Sequence, residues 1–415
     1  MGPMRNTPGA VSGREGHVVT PEAWRALWGS AVGYAMDGFD LLILGFLLKP
    51  VSAALGLGPA QAASLVTATL AGAVLGGVGF GLLADRLGRV RVLSWSIALF
   101  AVFTGLCAMA RTYPQLLLCR GAAGLGLGGE FGIGMALVAE AWPAAMRARA
   151  SSYVGLGWQA GVLTAALSAP ILIPALGWRG TFAVGALPAL VAFAVRRAVR
   201  EPAAFAARRP ARALHAPLRS LLADAASRRA SLGMLVLCSV QNFGYYGVMV
   251  WLPNYLAARF GYGLTQSALW TAVSVAGMPA GIWAFGQCAD RIGRRPSFAA
   301  WMVGAAAMVV VYARLASPLA LLAGGAVMGF FVNGMLGGYG ALMSELYPTG
   351  ARATAQNLLF NLGRAVGGLG PVAVGAVAAA HGFATAITLL AVLYGIDLLA
   401  LFLLIPERRG MALPS

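Results

Sequence analysis

Twelve long apolar runs limit what this chain can fold into. Crossing the hydrocarbon core of a bilayer takes about 20 predominantly apolar residues, and because lipid offers no partner for backbone polar groups, such a run crosses as a helix. The sequence therefore predicts an all-α polytopic membrane protein whose twelve transmembrane spans, numbered in chain order, lie approximately at 24–49, 60–83, 92–110, 114–139, 151–174, 180–199, 231–258, 265–288, 297–314, 317–343, 354–378 and 383–405.

The net charge of +17 reflects topology and does not indicate a nucleic-acid partner. Only 10% of the residues are charged, against roughly 25% in a soluble domain. Of the 30 basic residues, 23 fall on one side when the chain ends and alternate loops are assigned to it. By the positive-inside rule that side is the cytoplasm. We expect both termini there and the protein in the inner (cytoplasmic) membrane.

The runs divide the chain into two bundles. We predict a cytoplasmic tail over 1–23, a six-helix bundle over 24–199, a proline-broken cytoplasmic linker over 200–230, a second six-helix bundle over 231–405 and a tail over 406–415. The four cysteines lie apart in apolar runs, and the three histidines lie outside the spans. We therefore expect no metal site, no cofactor and no enzymatic activity.

A repeat at constant offset relates the two bundles. The segment from Phe80 to Arg89 recurs 205 positions later from Phe285 to Arg294. A second signature, a glutamate, a proline and an arginine, recurs at the same offset: Glu140, Pro143 and Arg147, then Glu345, Pro348 and Arg352. One offset for two signatures predicts a duplicated six-helix unit with a pseudo-twofold axis along the membrane normal.

The repeated motif Gly-x-x-x-Asp-Arg-x-Gly-Arg is predicted to occupy the short cytoplasmic loops after spans 2 and 8. The second signature falls after spans 4 and 10, so opposite charges meet on one side and can close it in some conformations. The alternative is a set of solvated ion pairs worth about 0–1 kcal/mol each. The predicted gating residues are Asp85, Arg86, Arg89, Glu140, Arg147, Asp290, Arg291, Arg294, Glu345 and Arg352.

Span 1 carries two acids, Asp37 and Asp40, on one helical face near mid-membrane. Ionisable groups are costly there, at least about 2.5–3.5 kcal/mol each, and two close carboxylates do not both ionise readily. A proton-coupling site is one interpretation, and structural pairing with a membrane arginine is the other.

Span 4 supplies Arg120, a run of glycines and Glu130. Glycines at four-residue spacing, Gly124 and Gly128, predict a close helix crossing. Arg120 lies at the depth of Asp40, so we predict that the two pair; otherwise Arg120 points into the cavity. Glu130 is a candidate for proton coupling or for a structural pair.

Span 11 carries a polar stripe, Asn357, Asn361 and Arg364, with the arginine about 15 Å into the bilayer at 1.5 Å per residue. An anionic substrate would match its guanidinium, although Asp397 in span 12 is a possible internal partner. Further substrate-binding candidates are Asn242, Tyr245 and Tyr246 on span 7, beside Gln241, and Gln159 on span 5, beside Trp158, which either packs or lines the cavity. At the 205 offset Asn242 replaces Asp37 and Tyr245 replaces Asp40.

The repeated motif resembles the signature loop of the major facilitator superfamily. The runs 24–40, 124–130 and 140–143, together with 345–348 and 361–364, are similar to those of the metabolite:proton symporters, chiefly the sialate and lactate group. Aromatic-acid:proton symporters share the acidic run at 37–40. Sialate transporters have two extra helices where this chain has 200–230, which favours a smaller monocarboxylate or an aromatic acid.

The resemblance implies uptake of an organic acid anion with a proton by alternating access. The expected partners are that small anion, protons and the lipid bilayer, and the protein is expected to be monomeric. The alternative is a proton-driven exporter of drugs or metabolites, which can use the same acids around a more apolar cavity.

Overall fold

The computed structural model describes residues 19–187, 190, 194, 197–202, 205, 216–260, 264–411 and 413–414, except the side chains of 250, 251, 253–260, 264–272 and 274. This part of the chain contains helices, turns and bends, with no strand. The helices are α1 (Pro21–Leu55), α2 (Pro59–Leu87), α3 (Arg89–Cys107), α4 (Tyr113–Ala141), α5 (Arg147–Val184), α6 (Ala216–Ser220), α7 (Ala225–Phe260), α8 (Leu264–Ile292), α9 (Arg294–Arg314), α10 (Pro318–Gly334), α11 (Leu336–Leu346), α12 (Arg352–Gly367), α13 (Gly370–His381) and α14 (Phe383–Leu404).

These helices follow the predicted spans. Spans 1–5 and 7–9 are the helices of the same number, α10 with α11 forms span 10, α12 with α13 forms span 11, and α14 is span 12. In α5 the backbone leaves helical geometry at Gly177 (φ 64°), where the chain turns into the predicted sixth span. Much of that span lies outside the described residues.

Nine stretches in this part of the chain are long and apolar enough to cross a membrane, namely those of spans 1–5 and 9–12. Apolar side chains such as Leu118, Leu319 and Met109 point outwards and are 73–75% exposed. Charged side chains such as Asp40 and Arg120 are fully buried. This reverses the distribution of a water-soluble protein and agrees with the predicted all-α membrane fold.

The repeated motif is helical, which corrects the prediction that it forms a loop. Asp85 and Arg86 lie in the last turn of α2, and Arg89 already begins α3. Gly88 alone joins the two helices with φ 115°, and Gly293 does the same between α8 and α9 with φ 110°. Only glycine adopts such angles easily, so the charges of the motif are fixed to helix ends.

Spans 2 and 4 cross at very short range. A Cβ on Gly76 would overlap the Leu125 carbonyl, and one on Gly124 would overlap the Thr69 carbonyl. Gly128 packs in the same way, against the α2 backbone. The predicted glycine packing face of span 4 is confirmed, and its partner is α2.

The second half repeats this crossing at the 205 offset. Gly277 and Gly281 of α8 lie against the carbonyls of Ala326 and Phe330 of α10. Both halves therefore pair their second and fourth helices through bare backbone, which lets each bundle pack tightly in lipid.

We expect Gly76→Ala to lower the thermal stability of the detergent-solubilised protein. Its Cβ meets the α4 backbone, which cannot move aside without shifting the helix, and overpacking of this kind costs about 1–3 kcal/mol. The matched control is Gly79→Ala on the same helix, where nothing lies within 4 Å of the new Cβ. Equal melting temperatures for the two variants would contradict the crossing.

Candidate functional site

A narrow polar cavity lies between the two halves, near the middle of the helices. Its free volume is about 10 Å³, roughly the space that one water molecule needs. Spans 1, 5, 7, 10 and 11 line it with Tyr34, Trp158, Gln241, Asn242, Tyr245, Tyr246, Asn333, Leu336, Phe360 and Arg364. Four of the predicted substrate-binding residues therefore meet at one place: Asn242, Tyr245, Tyr246 and Arg364.

Arg364 lies over two aromatic rings in this cavity. Its Cζ is 5.2 Å from the ring centre of Trp158 and 5.2 Å from that of Phe360, positions at which a cation is attracted to the ring face. The polar groups that act on it electrostatically include Tyr34 and Asp37. Among the described residues it forms no ion pair. A buried cation without a carboxylate partner is suited to an anionic ligand.

An apolar chamber adjoins the polar cavity on the side away from the arginine-rich loops. This chamber has a free volume of about 260 Å³ and shares Trp158, Tyr245 and Tyr246 with the polar cavity. The rest of its lining is apolar or glycine: Gly38, Leu41, Leu42, Val66, Leu70, Val162, Gly368 and Pro371. A ligand that fills both spaces has one charged end and an apolar body.

Asp40 and Arg120 form a bidentate ion pair, as predicted. Arg120 Nη1 donates to Asp40 Oδ1 at 3.0 Å, and Nη2 donates to Oδ2 at 2.5 Å. Arg120 Nε also donates to Thr69 Oγ1 at 3.2 Å, and Thr104 Oγ1 donates to Asp40 Oδ1 at 3.4 Å. Arg120 is thus engaged inside the first half and does not line the polar cavity.

Asp37 lies next to Glu130 of α4, and Asp40 is also close enough to act on both acids electrostatically. Asp37 and Glu130 are 0% and 2% exposed, and none of their carboxyl oxygens has a hydrogen-bond partner among the described residues. Gly33 makes room for Glu130, since a Cβ there would lie 3.3 Å from Oε2. Two such acids cannot both be charged cheaply, so the pair can hold a proton between them.

Asp397 takes no part in the cavity. The possible pair with Arg364 is not formed, because Asp397 lies on α14 among Cys238, Tyr339 and Tyr394. It is fully buried, and its oxygens have no partner in the described part of the chain.

Three predicted substrate ligands lie elsewhere. Asn357 and Asn361 contact the backbone of α4, where Asn357 Oδ1 accepts from Gly132 N at 2.6 Å and Asn361 Nδ2 donates to Gly128 O at 3.0 Å. Gln159 is buried next to the polar cavity and contacts Met278 Sδ at 3.6 Å.

Sequence reasoning missed four lining residues, Tyr34, Asn333, Leu336 and Phe360. Tyr34 lies one helical turn before Asp37, and Asn333 is an uncharged polar residue in an otherwise apolar run, where it accepts from Gln241 Nε2 at 2.9 Å. Tyr34 and Asn333 could have been found from the sequence by these features, whereas nothing in the sequence distinguishes Phe360 from ordinary packing residues.

At the arginine-rich end, a set of buried charges, here called the charge latch, joins the two halves. Asp85 of the first half accepts from the backbone N–H groups of Ala353 and Thr354 at 3.2 and 2.8 Å, at the start of α12 in the second half. Glu140 of the first half pairs with Arg352 of the second at 2.6 Å. Arg89 completes this set, 2.9 Å from Asp85 and 3.0 Å from Glu140.

In the second copy of the charge latch, the second half supplies the carboxylate and the first half supplies the helix N-terminus. Asp290 of the second half accepts from the N–H groups of Ala148 and Arg149, both at 3.0 Å, at the start of α5 in the first half. Arg294 pairs with Glu345 at 2.7 Å, and Arg147 lies 3.8 Å from the same glutamate. Each half thus places a carboxylate on a helix N-terminus of the other, where the helix dipole favours it, and this end of the protein is closed.

Two of the predicted gating residues, Arg86 and Arg291, do not belong to the charge latch, because their side chains are exposed. Sequence reasoning also missed two glutamates outside the spans. Glu201 accepts from Arg89 N at 2.8 Å and Glu407 from Arg294 N at 3.2 Å, so each caps a helix that begins at the motif. The tail takes part through Pro414 O, which accepts from Arg352 Nη2 at 3.2 Å.

Comparison with known proteins identifies the family. Residues 30–288 match the model of the Major Facilitator Superfamily, and 206–413 match that of the sugar (and other) transporters. A Haemophilus influenzae protein assigned to metabolite transport is 61% identical over 402 residues, covering 95% of this chain and 99% of that protein. A cis,cis-muconate transport protein of Acinetobacter baylyi is 29% identical, covering 83% and 84%.

Solved structures give the same fold. A structure titled as the proton:xylose symporter XylE superposes with a TM-score of 0.79 at 17% identity, covering 95% of this chain and 98% of that one. This confirms the predicted fold class of twelve helices in two bundles, and the family matches confirm a transporter instead of an enzyme. The chain belongs to the Major Facilitator Superfamily.

Proposed function

We propose that this protein takes up an organic acid anion together with a proton by alternating access. The observation that carries the proposal is Arg364, a buried cation that faces the polar cavity and has no ion pair in the described chain. An arginine in a membrane helix is costly, and a carboxylate matches its guanidinium fork. The A. baylyi relative is named for such an anion, muconate.

The chamber beside Arg364 narrows the substrate class. Its lining of leucine, valine and proline side chains offers few partners for hydroxyl groups, and a buried hydroxyl without a partner costs about 1–3 kcal/mol. A carboxylate with a flat apolar or aromatic body therefore fits better than a polyhydroxylated acid such as sialate. Trp158 and Tyr245 would hold the body while Arg364 binds the carboxylate.

The proton would be carried by the acids of the first half. Asp40 already has a partner, since its carboxylate forms an ion pair with Arg120 at 2.5 Å. Asp37 and Glu130 have no donor among the described residues, so we assign the transported proton to this pair and a supporting role to Asp40. Asp37 also acts electrostatically on Arg364, which links proton and anion binding.

The charge latch would open and close the cytoplasmic side. We propose that this end faces the cytoplasm together with both termini, which the arginine distribution supports, and that the protein acts as a monomer in the inner membrane. With the latch closed, the anion enters from the opposite end; release into the cell requires the latch to break.

We expect Arg364→Ala and Arg364→Lys to weaken binding of the acid by one to two orders of magnitude. Charge-assisted hydrogen bonds are worth about 1.5–3 kcal/mol, or roughly 10- to 150-fold in affinity, and lysine keeps the charge but loses the fork. A thermal-shift screen of aromatic and aliphatic monocarboxylates on the purified protein would find the ligand, since a ligand at 100 times its Kd stabilises by about 2.7 kcal/mol.

Arg314→Ala, at a helix end outside the cavity, is the control for Arg364 and should keep the wild-type shift. Undiminished uptake or binding in Arg364→Ala would remove the basis of the proposal. Preference for sialate over benzoate-like acids would contradict the assigned substrate class and leave the anion site intact.

We expect Asp37→Asn and Glu130→Gln to uncouple transport. Each replaces a carboxyl by a neutral amide, so the protein should still exchange labelled for unlabelled acid across proteoliposomes but should no longer accumulate it when the outside is acidified. Asp397→Asn is the matched control, since Asp397 is an equally buried acid that does not line the cavity. Loss of accumulation in Asp397→Asn together with normal accumulation in Asp37→Asn would contradict the assignment.

The same proteoliposomes distinguish uptake from export. In our proposal an acidic exterior drives the acid inwards in the wild-type protein. The apolar chamber is the one feature that also suits an exporter, for which the acidic exterior would drive the compound out.

A further inference from the structure

Asn357 and Asn361 contact the other half of the protein at an unusual place. Gly132 N–H and Gly128 C=O are four residues apart in α4, the spacing of one helical hydrogen bond. Asn357 Oδ1 accepts from that N–H at 2.6 Å, and Asn361 Nδ2 donates to that C=O at 3.0 Å. Two side chains of span 11 thus bond to both ends of a single turn of span 4.

Bare backbone makes this contact possible. A Cβ on Gly132 would collide with the side-chain and backbone atoms of Asn357, and one on Gly77 of α2 would collide with Asn361 Nδ2. Asn357 and Asn361 are 0% and 2% exposed. While this end of the protein stays closed, water does not reach these side chains and does not compete for the hydrogen bonds between the two halves.

The contact exists on one side of the pseudo-twofold axis only. At the 205 offset Ser152 corresponds to Asn357, and Gly337 corresponds to Gly132. Ser152 packs its Cβ against Gly337, but its hydroxyl donates to Arg149 O in its own helix at 2.7 Å. The packing of the two halves is therefore repeated, whereas the amide bonds across it are not.

We propose that Asn357 and Asn361 form an intramembrane clasp that holds α12 on α4 and keeps the cytoplasmic path to the central site closed. They lie between the charge latch, which includes Arg352, and the cavity around Arg364, one and two turns from the start of α12. The clasp has to break before the cytoplasmic side opens, and the two residues position the helices without touching the substrate. This inference rests on alternating access and not on the identity of the transported acid.

The test measures opening of the cytoplasmic side at a distant reporter. Ser151 on α5 is 4% exposed and contacts Met135 Sδ at 3.6 Å, and span 10 covers it through Gly340. Ser151→Cys, with the four native cysteines replaced by alanine, would be labelled with an impermeant maleimide in inside-out membrane vesicles. Faster labelling reports a larger cytoplasm-open population.

We expect Asn357→Ala and Asn361→Ala each to raise the labelling rate roughly two- to tenfold, the range of one net hydrogen bond. Gln356→Ala is the matched control, because Gln356 is the neighbouring buried amide of α12 and donates to Ser344 Oγ within its own half at 2.8 Å. Gln356→Ala should leave labelling within a factor of two of the parent.

A substitution on the opposite helix, α4, gives an independent test of the clasp. Gly132→Ala inserts a methyl group against both the side chain and the backbone of Asn357, so it should push α12 away from α4 and speed labelling in the parent. Equal labelling of Asn357→Ala and Gln356→Ala would overturn the clasp, as would unchanged labelling in the Gly132→Ala variant. Weaker binding of the acid to Asn357→Ala with unchanged labelling would instead make Asn357 a substrate ligand.

Discussion

A charge inside a membrane bundle needs a partner or must become neutral, and this requirement organises the protein. Removing one member of a buried pair costs about 3–5 kcal/mol, so satisfied pairs such as Asp40 with Arg120 are fixed elements. The groups left without an opposite charge are few among the described residues. Arg364 rests on aromatic rings, and Asp37 and Glu130 face each other. In our proposal the ligand and the proton satisfy these groups, whereas Asp397, also buried without a partner in the described chain, lies outside the cavity.

The internal repeat preserves the contacts that hold the two halves together, but it does not preserve the residues of the cavity. Features that hold the halves together recur at the 205 offset: the glycine crossings, the positive-φ glycines at the motif and the two copies of the charge latch. The cavity breaks the repeat, since Arg364 corresponds to Gln159 and Asp37 to Asn242. Because the latch is nearly symmetric, both halves can rotate about one axis as similar bodies. Because the cavity region is asymmetric, the first half contributes buried acids and the second half contributes a buried cation.

Much of this architecture could be predicted from the sequence, because membrane helices leave a strong signal in length and apolarity. The pair of Asp40 and Arg120 followed from depth alone, since each has a single plausible partner at its level. The partner of Asp37 could not be predicted in this way, because the choice between Asp40 and Glu130 depends on which face of α4 turns towards α1. The polar stripe of span 11 was a true signal with a mistaken interpretation: Arg364 reaches the cavity, whereas Asn357 and Asn361 meet a glycine backbone that presents no side chain to predict from.

The two ends of the protein close by different means, and this sets the order of events. Below Arg364 the path is blocked three times: by Phe131 stacked on Phe360 with ring centres 3.7 Å apart, by the amides of span 11 and by the charge latch. On the other side the chamber is separated from the cavity by aromatic side chains such as Trp158 and Tyr245. Rotamer changes of single side chains are fast, whereas separating two bundles is slow. If the protein works by alternating access as we propose, we therefore expect binding from the chamber side to be the quick step and opening of the latched side to limit the cycle.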